Sequence, residues 1–162
     1  MRVGPVLVNS TPLVALWVLG RLDLLRELCD EVLTPQAVYE EFVATERAVR
    51  QAALENATWI RPVSLANPQR TRVYIGLDLG EVEVLALPEE RAARLVIIDE
   101  LKGRRYAQRL EMPLTGTLGL LLLAKERGLL ANLAPLLVEL QEVGLYLGAS
   151  LIDRVLRLAG EK

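Results

Sequence analysis

The sequence contains no histidine, and this absence removes several kinds of active site at once. Without an imidazole there is no Ser-His triad, no histidine general base and no His-ligated zinc. Aspartate and glutamate, 21 residues in total, are the plentiful ionisable side chains that remain. Any hydrolytic or metal-dependent chemistry is therefore expected to rely on carboxylates.

Cysteine and long apolar runs are also scarce. Cys29 is the only cysteine, so no internal disulfide can form, and thiolate metal sites are excluded. It lies in an apolar stretch, which predicts a small core residue rather than a nucleophile. The first five residues lack the apolar segment of a signal peptide, and the apolar run 118–124 is too short to cross a bilayer. These features predict a cytoplasmic protein with no membrane partner.

Strong charge of one sign is absent as well, since the formal net charge is −2 and the pI is near 5.4. A chain that holds nucleic acid through a global positive field is not expected, so any basic surface must be local. With 162 residues, of which 52% are hydrophobic, the chain fits one domain over residues 1–162. Its C-terminal helices, from about residue 133, are expected to pack on that domain.

Short apolar runs alternate with helical patterns along the chain. Strands are predicted at residues 6–8, 32–34, 95–98 and 112–115. Residues 59–63 predict an edge strand or an extended linker, because Pro62 cannot donate to a central ladder. Helices are predicted at 13–19, 22–28, 35–55, 80–87, 101–110, 117–128, 133–143 and 149–158. Residues 66–74 predict a surface loop, and Pro88 is expected to disturb its helix. The alternation predicts an α/β, doubly wound, three-layer α/β/α sandwich with a mainly parallel sheet.

One strand end carries a distinctive cluster. The apolar residues 96–98 lead into Asp99 and Glu100, and Lys102, Arg104 and Arg105 follow. Acids at the carboxyl edge of a parallel sheet can hold a divalent cation, and neighbouring arginines can hold a phosphate. This pattern favours metal-dependent chemistry on a phosphodiester. The alternative is an N-cap followed by a solvated basic helix face.

Other polar residues are expected at the same edge. Asn9 follows the first strand, and Thr115 and Thr117 follow the last. Four helical acids that lie beside apolar, core-facing residues could join them: Glu40, Glu41, Glu81 and Glu83. Each has an ordinary alternative, which is a solvated helix face or a favourable helix-dipole charge for the acids and a helix cap for the threonines.

Several segments carry a family resemblance. They are VNSTPLVAL (8–16), GRLDLL (20–25), TPQAVYEE (34–41), LGEVE (79–83), IIDELKGRR (97–105) and LTGTLG (114–119), which continues into an apolar helix. Together they cover nearly the whole chain and resemble the PIN-domain family. The likeness is to the small PIN-like proteins of the DUF3368 type, which are related to the VapC toxin ribonucleases.

The resemblance implies a carboxylate cluster that binds Mg²⁺ or Mn²⁺ and hydrolyses RNA phosphodiesters. The catalytic carboxylates would be Glu41, Glu81 and Asp99, with Glu40 and Glu83 as alternative registers. The implied metal ligands are Asn9, Glu41, Glu81, Asp99 and Glu100. The implied contacts to phosphate and RNA are Lys102, Arg104, Arg105, Thr115 and Thr117.

The resemblance also implies partners. Many PIN domains are toxins of toxin-antitoxin pairs, so an RNA substrate and a small antitoxin-like protein are expected. The apolar runs 120–123 and 133–140 exceed what a small sheet face needs, which predicts a homodimer, with an ordinary core as the alternative.

Asn9 departs from the family pattern, in which an acid ends the first strand. An amide oxygen can coordinate Mg²⁺ but brings no charge, so metal binding is expected to be weaker. This leaves open a second interpretation, a catalytically weak or degenerate PIN-like module that binds nucleic acid or protein. A receiver-like phosphate-binding module is a third, disfavoured because the first strand lacks the acids that such a module uses.

Overall fold

The computed structural model describes residues 4–145 and 147–162, except for the side chains of residues 70 and 71. Its centre is a sheet in which β1 (Val6–Val8) lies between β2 (Val32–Pro35) and β4 (Leu95–Ile97). The edge strands are β3 (Ile60–Val63), beside β2, and β5 (Leu114–Thr115), beside β4. All four pairings are parallel, which confirms the predicted parallel sheet and the edge position of residues 60–63. Strand order reverses between β1 and β4, the point where such sheets place their ligands.

Both faces of the sheet are covered by helices. On one face Val6, Val8 and Ile97 belong to the larger core, and on the other Leu7 and Val96 belong to a smaller one, as expected when successive side chains alternate. The inner strands β1, β2 and β4 are mainly apolar because both of their faces are buried, whereas the edge strand β3 exposes Arg61. The helices are α1 (Ser10–Val18), α2 (Asp23–Leu28), α3 (Gln36–Val43), α4 (Arg47–Asn56), α5 (Leu79–Arg91), α6 (Leu101–Arg109), α7 (Thr117–Glu126), α8 (Ala134–Glu142) and α9 (Ala149–Leu158).

The two cores assign the helices to layers. Side chains of α5 and α6 pack in the smaller core, whereas those of α1 to α4 and α7 to α9 pack in the larger one. The predicted three-layer α/β/α sandwich is thereby confirmed. Among the helices of the described residues, none has the length and apolarity needed to cross a membrane.

Three local predictions were wrong. The helix expected over 35–55 is interrupted, since α3 ends at Val43 and Glu46 has a φ of 49°. That left-handed conformation ends a helix wherever it occurs, and no glycine or proline marks it here. Pro88 lies inside α5, which continues to Arg91. The segment 66–74 contains a 3₁₀ helix, Pro68–Val73, rather than only loop.

The C-terminal helices complete the larger core. Leu133, Leu137 and Leu140 are buried there, as are Leu120 and Leu121 of α7. The leucines that suggested a homodimer surface are therefore mostly used within the chain. The ordinary core, weighed as the alternative, accounts for them.

Hydrogen bonds of Glu161 connect the C-terminal segment to α7 and α8. Its carboxylate accepts hydrogen bonds from the N–H groups of Leu133 (2.7 Å) and Ala134 (3.0 Å) and from Lys125 Nζ (2.9 Å). Two otherwise unpaired N–H groups at the start of α8 are satisfied in this way. The contact also fixes α9, which ends three residues before Glu161.

Candidate active site at the carboxyl edge of the sheet

Asn9 is held at the switch point of the sheet. Its N–H donates to the carbonyl of Ile97 at 3.0 Å, and the Thr34 hydroxyl donates to the Val8 carbonyl at 3.1 Å, so the ends of β1, β2 and β4 are tied together. The residue is only 4% exposed. Although Asn9 occupies the N-cap position of α1, its side chain makes no capping hydrogen bond within the described part of the chain. Its amide oxygen thus does not accept the backbone N–H bond that an N-cap asparagine usually accepts.

Both carboxylate oxygens of Asp99 accept hydrogen bonds from Thr117, the first residue of the helix after the last strand. Its Oδ1 accepts the N–H of Thr117 at 2.8 Å, and its Oδ2 accepts a short hydrogen bond from the Thr117 hydroxyl. A Cβ on Gly116 would overlap Asp99 Oδ1, which explains the glycine at that position. A Cβ on Gly119 would likewise overlap the Thr115 hydroxyl oxygen. The Thr-Gly-Thr motif therefore positions Asp99 and brings Thr115 and Thr117 to the same edge.

Glu100 caps the following helix. Its carboxylate accepts the N–H groups of Lys102 (2.9 Å) and Gly103 (2.6 Å). Burial alone would raise the pKa of Glu100, but the hydrogen bonds from Gly103, Glu81 and Lys102 lower it overall. The N-cap interpretation is correct for Glu100, and the carboxylate stays ionised.

Glu81 lies among other carboxylates. Asp78 accepts its N–H at 2.8 Å, and Glu81 Oε1 in turn accepts the Asp78 N–H at 3.4 Å, so the two form a capping box at the start of α5. The pKa of Glu81 is raised to about 8, first by burial and then by side-chain hydrogen bonds with Asp78 and Glu100 and by the charge of Asp78. Such a carboxyl retains a proton at neutral pH unless a cation replaces it.

Glu41 approaches the same place from α3. A Cβ on Gly80 would lie 3.0 Å from the Val38 side chain and 3.7 Å from Glu41 Oε2, so α3 and α5 meet closely at this glycine. Burial, followed by the charge of Asp78, raises the pKa of Glu41. We call Glu41, Asp78, Glu81 and Glu100 the acidic group. Asp78 was not predicted as a site residue, although the Asp-x-x-Glu capping pattern could have indicated it.

The two alternative acids lie in a different setting. Glu40 is exposed and accepts a hydrogen bond from Gln36 Nε2 at 3.3 Å. Glu83 is only 8% exposed, and its pKa is raised by burial and then by the charge of Glu40. Glu83 thus interacts electrostatically with Glu40, whereas Glu81 interacts with Asp78 and Glu100.

Of the predicted cations, Arg104 lies closest to Asp99. Its Nη1 donates to the Ile98 carbonyl at 2.8 Å and would be 3.2 Å from a Cβ on Gly116. Lys102 Nζ donates to the Gly76 carbonyl at 2.8 Å, and Arg105 is exposed. A cleft of about 640 Å³ is lined by Arg104, Asp99, Glu100, Thr115 and Thr117, whereas Lys102 and Arg105 are not among its lining residues.

The donor atoms suit a hard divalent cation, because carboxylate and amide oxygens are the ligands that Mg²⁺ and Mn²⁺ prefer. The pKa of Glu81 is raised first by burial and then by its carboxylate neighbours, and a bound cation would favour the ionised form of this side chain. Across residues 4–145 and 147–162, however, no three or more acidic or thiol side chains are arranged as a metal site. The predicted ligands form two sets, the acidic group and the Asp99–Thr117 pair, with Asn9 at the switch point.

A doubly wound parallel sheet with carboxylates at its carboxyl edge defines the class of α/β sandwiches that bind ligands at the topological switch point. Residues 5–161 match the family model DUF3368, described as a PIN domain, so the chain belongs to the PIN-domain family. This confirms the resemblance found in the sequence. No curated protein shows a significant match to the chain. The PIN domain is a nuclease-type fold, and PIN domains generally use divalent metals.

Proposed function

We propose that this chain is a divalent-metal-dependent ribonuclease that hydrolyses RNA phosphodiesters. The observation that carries the proposal is the acidic group at the carboxyl edge of the sheet, in which the pKa of Glu81 reaches about 8. Carboxylates held this close are costly in a folded protein, and perturbed pKa values of this kind cluster at functional sites. Membership of a family with a nuclease-type fold supports the reaction class.

In the proposed site, Glu41, Glu81 and Asp99 would hold Mg²⁺ or Mn²⁺, with Asn9 and Glu100 as further ligands. A divalent cation bound there supplies a water of lowered pKa and neutralises charge that develops on the phosphate. The chain's own contribution is to orient these oxygens. Thr117 fixes Asp99, and the capping box fixes Glu81.

The substrate phosphates would be held by cations and hydroxyls of the same edge. Arg104 already lies beside Asp99 in the cleft, where its guanidinium can form paired hydrogen bonds to a phosphate. Thr115 lines the same cleft, and Lys102 and Arg105, which are exposed outside the cleft, would contact flanking phosphates. Glu81 must lose its proton before it can act as a ligand, so activity is expected to rise with pH.

The proposal is tested by RNA cleavage. The wild type and the variants Glu81→Gln and Asp99→Asn are incubated with single-stranded RNA in Mg²⁺, Mn²⁺ or EDTA. The metal-dependent activity of each variant is expected to be lower than that of the wild type by about 100-fold or more. Glu126→Gln, an exposed acid at the end of α7, is the matched control and should cleave normally. Equal cleavage by all four proteins would refute the assignment.

A second candidate is a PIN-like module that binds nucleic acid or protein without cleaving RNA. Two observations favour it. Asn9 brings no charge, and both oxygens of Asp99 are already hydrogen-bonded by Thr117. Calorimetric titration with Mn²⁺ separates the candidates, because a binding module should take up no Mn²⁺ at a defined stoichiometry.

We further propose a cytoplasmic toxin-antitoxin role, with a small antitoxin-like partner, and assembly as a homodimer. Apolar side chains exposed beside the acidic group, namely Ile75, Leu79 and Leu101, offer surface for either contact. A short neighbouring reading frame that encodes a DNA-binding protein would support the first proposal. Sedimentation of the purified chain tests the second, since a monomer at micromolar concentration would exclude a stable dimer.

A further inference from the structure

We propose that helix α9 forms, with the carboxyl edge of the sheet, a pocket for one unpaired nucleobase of the RNA strand. The proposal rests on the proposed function and names a subsite of the same cleft. It assigns Leu151 and Leu158 as apolar contacts to the base and Arg154 as a contact to the neighbouring phosphate.

One face of α9 lines the cleft. Leu151, Arg154, Val155 and Leu158 all contribute to its wall, and their spacing of three, four and seven residues places them on one side of a helix. The opposite wall carries Asp99, Glu100, Arg104 and the Thr-Gly-Thr motif. The volume of about 640 Å³ is typical of sites that take a ligand the size of a nucleotide.

The apolar wall is exposed although it lies within a concave site. Leu151 is 46% exposed and Leu158 is 63% exposed, and Leu122, Leu145 and Leu147 line the same cleft. Leaving such leucines in water is unfavourable unless a ligand covers them. A flat base provides that cover, and its edges remain free to bond elsewhere.

Charge on α9 differs between its two sides. Arg157 pairs with Asp153 at 3.0 Å, and Lys162 pairs with the same carboxylate. Arg154, which lines the cleft, makes no ion pair with any described residue, and the same holds for Arg104 on the opposite wall. Arg154 is thus available for an anion, and Arg104 retains further N–H donors beside the one that binds the Ile98 carbonyl.

A nucleotide matches this combination. It joins an anionic phosphate to a flat ring with apolar faces, and the cleft is lined by both arginines and leucines. A base inside a duplex is stacked and paired on its edges and cannot reach such a wall, so the pocket selects single-stranded RNA.

The position of α9 is fixed by the end of the chain. The Glu161 carboxylate is bound by Lys125 and by two N–H groups at the start of α8. These bonds connect the segment after α9 to α7 and α8, and the α9 wall is in place in the chain without bound RNA.

The test is RNA binding by the full chain, measured by fluorescence anisotropy with Ca²⁺ as the only divalent cation. The probes are a labelled single-stranded RNA decamer and the same decamer without bases. The double variant Leu151→Ser/Leu158→Ser is expected to bind the intact decamer about tenfold more weakly and the abasic decamer as the wild type does. Arg154→Gln is expected to weaken the binding of both. Leu110→Ser, at a leucine that is 49% exposed outside the cleft, is the matched control and should change neither.

The pocket is refuted if the double variant binds the intact decamer like the wild type, or if the wild type binds both decamers equally. It is also refuted if the serines convert a dimer to a monomer without changing RNA affinity, because the leucines would then join two copies. The proposed nuclease can fail independently. Base-dependent binding without cleavage in Mn²⁺ would support the pocket and refute the nuclease. Cleavage that the α9 variants do not affect would support the nuclease and refute the pocket.

Discussion

The carboxylate of Asp99 accepts both the N–H and the hydroxyl of Thr117, and this pair joins the end of β4 to the start of α7. A carboxylate at a helix start satisfies an otherwise unpaired N–H and interacts favourably with the helix dipole. The same bonds fix where the Asp99 oxygens point. Stability and the geometry of the proposed site therefore depend on one interaction.

Replacing Thr117 by Val should separate the contribution of the hydroxyl bond from that of the N–H bond. The variant keeps the N–H bond to Asp99 but loses the hydroxyl bond, and a destabilisation of about 1–2 kcal/mol is expected because the site is buried. Urea unfolding measures the change, and Thr117→Ser, which restores the hydroxyl, should recover most of it. A valine variant as stable as the wild type would show that the hydroxyl bond is unimportant.

Gly116→Ala should displace the Asp99 side chain. The added methyl would overlap Asp99 Oδ1, so a loss of about 1–3 kcal/mol is expected together with weaker Mn²⁺ binding. Gly148→Ala is the matched control, since nothing lies within 4 Å of its Cβ position. Thermal unfolding and calorimetry test the pair, and equal behaviour of the two alanine variants would contradict the assigned contact.

The Glu81 carboxyl predicts how stability depends on pH. Its pKa is raised in the folded state from 4.5 to about 8, so the folded chain holds this proton more tightly than the unfolded chain does. The resulting stabilisation is complete below the pKa that Glu81 has in the unfolded chain. It is lost as the pH rises through the pKa that Glu81 has in the folded chain. In EDTA, the stabilisation contributed by Glu81 should therefore decrease between about pH 4.5 and about pH 8.

Glu81→Gln isolates this effect, because glutamine preserves the capping box and cannot ionise. Urea unfolding of the variant should show a smaller decrease over the same pH interval. Added Mn²⁺ should stabilise the wild type more at the higher pH, where the proton no longer competes for the carboxylate. A variant with the wild-type pH profile would contradict the role given to Glu81.

The C-terminal contact of Glu161 predicts the opposite pH dependence. Burial alone would raise the pKa of Glu161, but the bonds from Leu133, Lys125 and Ala134 lower it overall, so its contribution is present at neutral pH and lost on acidification. Glu161→Gln is expected to destabilise the chain by about 1–3 kcal/mol at neutral pH. The difference from the wild type should shrink in acid, and a constant difference would refute the contact.

The fold was largely predictable because its signals are local. The inner strands β1, β2 and β4 are short, mainly apolar runs buried on both faces, and Asn9, Asp99 and Thr117 follow strands whose carboxyl ends share one edge. The break at Glu46 could not be predicted, since no glycine or proline marks it and its left-handed conformation has no local sequence signal.

The site was predicted less completely, because it depends on which helices meet. Glu41 joins Asp78 and Glu81 only through the close approach of α3 and α5 at Gly80, which local sequence does not reveal. Leucines of α7 and α8 looked like a dimer surface because sequence shows that a helix is apolar but not what covers it. Leu151 and Leu158 were not predicted as site residues, because only the position of α9 places them in the cleft.

The most direct measurement is a time course of single-stranded RNA cleavage by the purified wild-type chain in Mn²⁺, Mg²⁺ and EDTA at several pH values. A metal-dependent ribonuclease built on this acidic group should cleave in Mn²⁺ or Mg²⁺, remain inactive in EDTA, and become more active as the pH approaches the pKa of Glu81, about 8. Cleavage that persists in EDTA, or no cleavage with either cation at any pH, would contradict the account.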